Sequence, residues 1–326
     1  MLRFFKSNSQ VLIALIPLIG IVLWLPVFLG KASPVGINPQ LIPLGEILPW
    51  LVRNGPFQAI LSYFLVILLG FYLVRLNTRF QFIRIRTQLP AVVILLLLSP
   101  LAYYLYIMPV LILAFPVLFA IERTFDSFAH DKLALEYIDA AFLISLSSFI
   151  FFPIIFAHLL IFMILVLQKN NTWREWVFTL IGGAIPFLVF LSLRFVFDWE
   201  YKLPFEQLFK RNFSSYLPTL YANIFLAYLV LLIVLGSINM IKTFGVKKIQ
   251  SRKLFLSLFG FFLFGLLSMV LPSVGIYGFI LALIPSAYLI SHFFHLIRYP
   301  KIGQLLFIVL FLVILFQEFL IFFPVL

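Results

Sequence analysis

The sequence predicts an all-α integral membrane protein, a polytopic helical bundle of about eleven transmembrane helices. Two compositional facts and one pattern lead there. Of 326 residues, 64% are apolar and only 10% are charged, whereas soluble domains carry about a quarter charged residues. No globular core of this length could hide that much hydrocarbon, so lipid must solvate most of the surface. The apolar runs are long and continuous rather than alternating at period two, which selects helices over a barrel, the two architectures that satisfy every backbone group in lipid.

Charge-free stretches long enough for the hydrocarbon core mark the spans in order. Residues 7–30 hold the first; the run is too long for a signal peptide and no small-residue cleavage site follows, so it reads as a retained anchor. Residues 54–74 form the second, between Arg53 and Arg75. Residues 87–121 are uncharged but broken by Pro90, Pro100, Pro109 and Pro116. They read as two short helices turning near Tyr106 and Met108, with a re-entrant hairpin as the alternative. Residues 140–168 form another tight pair turning at Pro153. Residues 176–197 and 220–241 give the next two spans. Residues 254–297 hold two more around Pro272, Ser273 and Gly275, and residues 302–326 the last.

Orientation follows from the basic residues. With the N-terminus in the cytosol, one side collects Arg3, Lys6, Arg75, Arg79, Arg84, Arg86, Arg123, Lys132, Lys169, Arg174, Lys242, Lys247, Lys248, Arg252, Lys253, Arg298 and Lys301. The other collects Lys31, Arg53, Arg194, Lys202, Lys210 and Arg211, a bias of seventeen against six. An odd span count then places the C-terminus outside. The net charge of +12 is explained by this loop asymmetry and by contact with anionic membrane lipids, and no nucleic-acid partner is expected. The whole chain reads as one transmembrane domain with two sizeable outer loops. Residues 31–54 include an apolar stretch around Trp50, interrupted by Pro43 and Pro49, expected to lie in the outer interface. Residues 198–218 (DWEYKLPFEQLFKRNFSSYLP) mix both charge signs with aromatics.

Cysteine is absent, which excludes disulfides, thiolate metal sites and cysteine nucleophiles. His292 and His295 stand three apart, as metal ligands can, but no second ligand group accompanies them, so no metal and no cofactor is expected. Glu318, far enough along the last span to lie near the outer interface rather than the midplane, is the intramembrane acid. It reads either as a cation or proton site or as a solvated carboxylate beside Gln317 at a helix end. Arg194 and Asp198 can pair at i, i+4. Alternatively Arg194, with Arg53, Lys202, Lys210 and Arg211, forms a site for a lipid-borne phosphate, and Glu46 is then the one catalytic candidate on that side.

The opening Met1-Leu2-Arg3-Phe4-Phe5-Lys6-Ser7-Asn8, the run Leu143-Ile144-Ser145-Leu146-Ser147-Ser148-Phe149-Ile150-Phe151-Phe152-Pro153 and the block from Trp173 to Pro186 resemble a family of multi-pass inner-membrane proteins of Bacteroidota, a domain of unknown function. The likeness runs along most of the chain and is densest over residues 89–198. It implies a Gram-negative inner membrane with the outer side facing the periplasm, and no particular activity. A looser likeness is to polyprenyl-phosphate-dependent glycosyltransferases and polysaccharide polymerases. These carry an acid or acid pair in the first periplasmic loop and arginines for the lipid phosphate; Glu46 alone matches the acid.

Three functional expectations result. The first is a component of cell-envelope assembly without its own catalysis, a subunit or scaffold for other inner-membrane proteins. The second is a glycosyltransferase or polymerase acting on a polyprenyl-linked glycan. The third is a transporter, against which the lack of an internal repeat counts.

Overall fold

The structure is a computed structural model describing residues 2–6, 10–32, 41–43, 55–83, 85–126, 134–167, 172–198, 204–210, 220–245, 249–297 and 299–322. These residues form helices and connections, with no β-strand among them. In chain order the helices are α1 (Leu2–Phe5), α2 (Gln10–Leu23), α3 (Leu25–Phe28), α4 (Pro56–Phe80), α5 (Leu89–Tyr104), α6 (Met108–Asp126) and α7 (Ala134–Ser148). A 3-10 turn at Phe152–Ala157 leads into α8 (His158–Leu167), followed by α9 (Trp173–Val196) and a second 3-10 turn at Glu206–Phe209. The remainder is α10 (Leu220–Phe244), α11 (Ile249–Ser268), α12 (Ile276–Leu296) and α13 (Pro300–Phe322).

Six of these helices, α4, α6, α9, α10, α12 and α13, are long and apolar enough to cross a membrane. Apolar but shorter are α2, α5 and the stretch Phe152–Val166. At 1.5 Å per residue, the 16 residues of α5 cover about 24 Å, less than the hydrocarbon core of about 30 Å. The chain is thus an all-α membrane protein.

The proline-broken stretch at 87–121 resolves into two helices, α5 and α6, separated by Leu105–Tyr106–Ile107. The turn at 272–275 also forms, with Gly275 at φ 51°, a left-handed conformation that favours glycine. Helix α7 begins at Ala134, well before the charge-free stretch, because Glu136 and Asp139 stand in its opening turns.

Two helices form the centre. All residues of α5 except Tyr103, and all of α12 from Ile276 to Phe294, are buried. Helices apolar on every face must be enclosed by other helices or by lipid. Here α4, α2, α13 and α12 pack around α5, while α11, α10 and α6 pack around α12. Because lipid tails are as apolar as leucine, close packing rather than hydrophobic driving force holds such helices together. At Gly265 on α11, an added Cβ would fall 2.5 Å from the Ala282 backbone nitrogen on α12, so no larger residue fits that crossing. Polar links cross the core as well. Tyr288 on α12 donates to the Leu73 carbonyl on α4 at 2.6 Å, and Trp24 donates through Nε1 to Ser99 Oγ on α5 at 3.0 Å.

Helix α9 sits at the periphery. Its main partner is α7, the most extensive helix pair among the described residues, and α8 adds to the contact. A Cβ at Gly182 on α9 would lie 2.5 Å from the Ile138 carbonyl oxygen on α7. The segments 143–153 and 173–186 also meet in this interface, the Ser145 hydroxyl donating to the Gly183 carbonyl at 2.7 Å.

Candidate functional site

The densest buried polar group joins the ends of α4 and α6. Arg75 and Arg79 lie four apart on α4, and Glu122 and Asp126 four apart on α6, so each helix presents its like charges on one face. Glu122 is 4% exposed. Its Oε2 accepts a hydrogen bond from the Tyr72 hydroxyl, and its Oε1 accepts one from Arg79. Arg75 approaches the same Oε1 at 3.6 Å, and a second Arg79 nitrogen holds Asp126 at 2.8 Å. Both guanidinium groups reach outward, Arg75 and Arg79 being 61% and 45% exposed on their side chains. Two cations thus face two carboxylates, and the buried one is saturated. Arg123 and Asp139, 3.7 Å apart, add an exposed tie from α6 to α7. Chemically this is a clamp between helices: a buried carboxylate that lost its partners would cost several kcal/mol, roughly 3–5.

A second polar link lies in the interface of α7, α8 and α9. The Ser145 hydroxyl donates to the Gly183 carbonyl at 2.7 Å, and its oxygen lies 3.0 Å from His158 Nε2. His158 Nδ1–H donates to the Ile155 carbonyl at 2.8 Å. Ser145 is fully buried, so this serine–histidine contact fastens three helices rather than facing a substrate. Thr172 and Glu175 close the start of α9 as a capping box.

At the opposite ends of α4 and α6 from the clamp lies a cleft of about 250 Å³. Trp24, Phe28 and Gly30 line it from the α2–α3 end, Gly55, Gln58 and Ser62 from the start of α4, and Ala102, Tyr106 and Ile107 from the α5–α6 turn. Ala32 and Gly55, which flank residues 33–54, both stand on its wall. Within that segment only residues 41–43 are described, and Leu41 and Ile42 are buried against the core. The cleft is largely apolar and aromatic, with Ser62, Gln58, Tyr106 and Trp24 as the lining residues that carry polar side-chain groups.

Of the candidates named from sequence, Glu46, Arg53, Lys202 and Arg211 lie outside the described residues. Arg194 stands near the end of α9, a helix whose main neighbours are α7 and α8 rather than the helices of the cleft. Lys210 directly follows the 3-10 turn Glu206–Phe209, which is held to the α11–α12 turn by the Ser273 hydroxyl donating to Leu208 at 2.7 Å. Glu318 lies in the last turns of α13. Its Oε2 is buried and without a hydrogen-bond partner among the described residues, as is Gln317 Oε1 beside it. His292 rests its ring edge against Phe255, centroids 5.8 Å apart. Among the described residues no three histidine, aspartate or glutamate side chains converge as metal ligands would.

The clamp was missed in the sequence, where Arg75 and Arg79 served only to orient the chain. Its signal was present: two i, i+4 pairs of opposite sign, one on each of two neighbouring spans. Comparison with known proteins adds no family: no family model matches the chain, and neither does a curated protein or a solved structure.

Proposed function

We propose that this chain is an inner-membrane component of bacterial cell-envelope assembly, of the Bacteroidota family it resembles, acting as a subunit or scaffold for other membrane proteins and not as a catalyst. One observation carries the reading: the ionisable groups buried near α4 and α6 are closed on each other, Glu122 being shared by Tyr72, Arg75 and Arg79. Groups neutralised in this way stiffen a platform, and membrane lipids and other inner-membrane envelope proteins are its proposed partners. Affinity purification of the full chain from native membranes in mild detergent tests this. The expected result is a reproducible, stoichiometric set of inner-membrane envelope proteins; a protein recovered alone under conditions that preserve other membrane complexes overturns it.

In this reading the chain crosses the inner membrane eleven times. The passes are α2–α3, α4, α5, α6, α7, the Phe152–Leu167 stretch, α9, α10, α11, α12 and α13. The N-terminus is cytosolic and the C-terminus periplasmic. The clamp supports the order, because it joins the end of α4 to the end of α6 at the arginine-rich side, while the start of α4 and the α5–α6 turn share the cleft at the other side.

A second reading is favoured by the cleft. A polyprenyl-linked sugar enzyme needs an apolar, aromatic hollow beside its first outer loop, and the cleft is walled by both flanks of residues 33–54. In that reading Glu46 is the catalytic acid or base, and Arg53, Arg194, Lys202, Lys210 and Arg211 meet the lipid phosphate. The peripheral position of Arg194 on α9 gives this reading less support than the first.

A further inference from the structure

Independently of the readings above, we propose that the end of α12, ringed by the end of α10, the starts of α11 and α13 and by α1, binds a net-anionic phospholipid through Lys6, Lys242, Arg252, Lys253 and Lys301. Helix register brings these cations together. Between α11 and α12, Gly265 packs against Ala282, and Phe255 against His292 with ring centroids 5.8 Å apart, so Arg252 stands level with His295. Arg252 also donates through Nη2 to the Gly245 carbonyl at 3.3 Å, which ties the start of α11 to the end of α10 near Lys242. On α10, a Cβ at Gly236 would lie 2.9 Å from the Leu289 carbonyl oxygen of α12, and Lys242 and His295 each follow that crossing by six residues. From the other side, Phe307 on α13 meets both Phe5 on α1 and Phe294 on α12, centroids 5.5 Å apart in each case. Lys6, next to Phe5, and Lys301, in the opening turn of α13, therefore join the same end.

This end differs from the clamp in having no acid of its own. Residues 1–45 and 207–317 contain no aspartate or glutamate, so none neighbours these cations along the chain. The acids of α6, α7 and α9 are largely engaged elsewhere: Glu122 and Asp126 by Arg75 and Arg79, Asp139 by Arg123, and Glu175 by Thr172. Arg252 and Lys253 stand early in α11 and Lys301 early in α13, where the helix dipole adds to their positive charge, and neither helix has an acid in its first turn. The surface beside the cations selects the anion. Ile241, next to Lys242, is 71% exposed, and Leu256 and Leu305, about one turn after Lys253 and Lys301, are 37% and 60% exposed. Cations at helix ends with apolar wall directly inward fit a headgroup and its tails, whereas an acidic protein segment has no use for the wall. The connections here are short, residues 245–248 and 297–299, which keeps the cations at the helix ends, at the depth of lipid phosphates. Phosphatidylglycerol offers phosphate oxygens to guanidinium and ammonium donors and keeps a net charge; in phosphatidylcholine the choline cation offsets the phosphate.

The test uses the full chain, delipidated in detergent and reloaded with phosphatidylglycerol or phosphatidylcholine of matched acyl chains, with retained lipid read by native mass spectrometry. The expected result is about tenfold stronger retention of phosphatidylglycerol, lost when Lys242→Gln and Arg252→Gln are combined. The charge-conserving pair Lys242→Arg and Arg252→Lys should keep the preference, which separates charge from the contact with Gly245. Arg123→Gln, which removes a cation already facing Asp139, should keep it too. Equal retention of the two lipids overturns the assignment. So does a preference that survives the loss of both cations, or one that falls as far in Arg123→Gln. Release of phosphatidylglycerol by millimolar inorganic phosphate would overturn it by identifying a soluble phosphate as the ligand. Release by a glutamate-rich peptide would do so by identifying an acidic protein.

Discussion

Arg79 on α4 bridges Glu122 and Asp126 on α6, one nitrogen donating to the buried Glu122 carboxylate and another lying 2.8 Å from Asp126. The bridge works because both helices repeat charge every fourth residue, so a single guanidinium spans one turn of its neighbour. Tyr72, nearly two turns before Arg79 on α4, completes the ring around Glu122.

Removing the bridge should cost stability in proportion to what stays buried. Glu122→Gln keeps the volume but leaves Arg79 and Tyr72 competing for one neutral oxygen, and should lower unfolding free energy by about 2–3 kcal/mol. Arg79→Gln should cost less, about 1–2 kcal/mol, since Arg75 remains 3.6 Å from Glu122 and the lost side chain is half exposed. The double variant should fall short of additivity by about 1 kcal/mol or more. Denaturant titration of the detergent-purified protein measures all three; full additivity would show that the two groups are not coupled.

The α7–α9 interface should be intolerant at one glycine. Gly182→Ala places a methyl within 2.5 Å of the Ile138 carbonyl oxygen, which the backbone of α7 cannot yield without opening the helix pair. A loss of about 1–3 kcal/mol is expected. Gly245→Ala is the control, since nothing lies within 4 Å of its added Cβ, and it should change stability by less than about 0.5 kcal/mol. Thermal unfolding of both variants in the same detergent checks the contrast.

The topology is directly testable because the sequence contains no cysteine. Single replacements Ala32→Cys, Gly245→Cys and Leu326→Cys report three positions without background. With a membrane-impermeant maleimide on spheroplasts, Ala32→Cys and Leu326→Cys should label at once, and Gly245→Cys only after permeabilisation. A Leu326→Cys protein that labels only after permeabilisation would require an even number of crossings.

Much of the helical framework was readable in advance because breakers are local. Pro272, Ser273 and Gly275 mark the turn that separates α11 from α12, and Pro109 marks the first turn of α6, whereas Pro100 stands inside α5 without ending it. Two kinds of information were not local. Lipid and protein interior are equally apolar, so hydropathy could not separate the enclosed α5 and α12 from the peripheral α9. Charge at a span end looks the same whether solvated or paired, and only helix adjacency turned Glu122 from a loop-side acid into a buried partner of Arg79. For the same reason charge-free stretches place the start of α7 too late, past Glu136 and Asp139. Of the candidate lipid-phosphate residues only Arg194 and Lys210 are described, and no periodicity in the sequence relates the one to the other.

The role proposed for this chain is that of an envelope-assembly component without catalysis of its own. Glu46→Gln tests it most directly, introduced into a deletion strain, with the envelope glycan profile and the co-purifying partner set both measured. The account predicts that Glu46→Gln restores the wild-type glycan profile and retains the same partners. A Glu46→Gln protein that inserts and folds normally, keeps its partners and yet leaves the glycan unextended, as the deletion does, would contradict it and establish the enzyme instead.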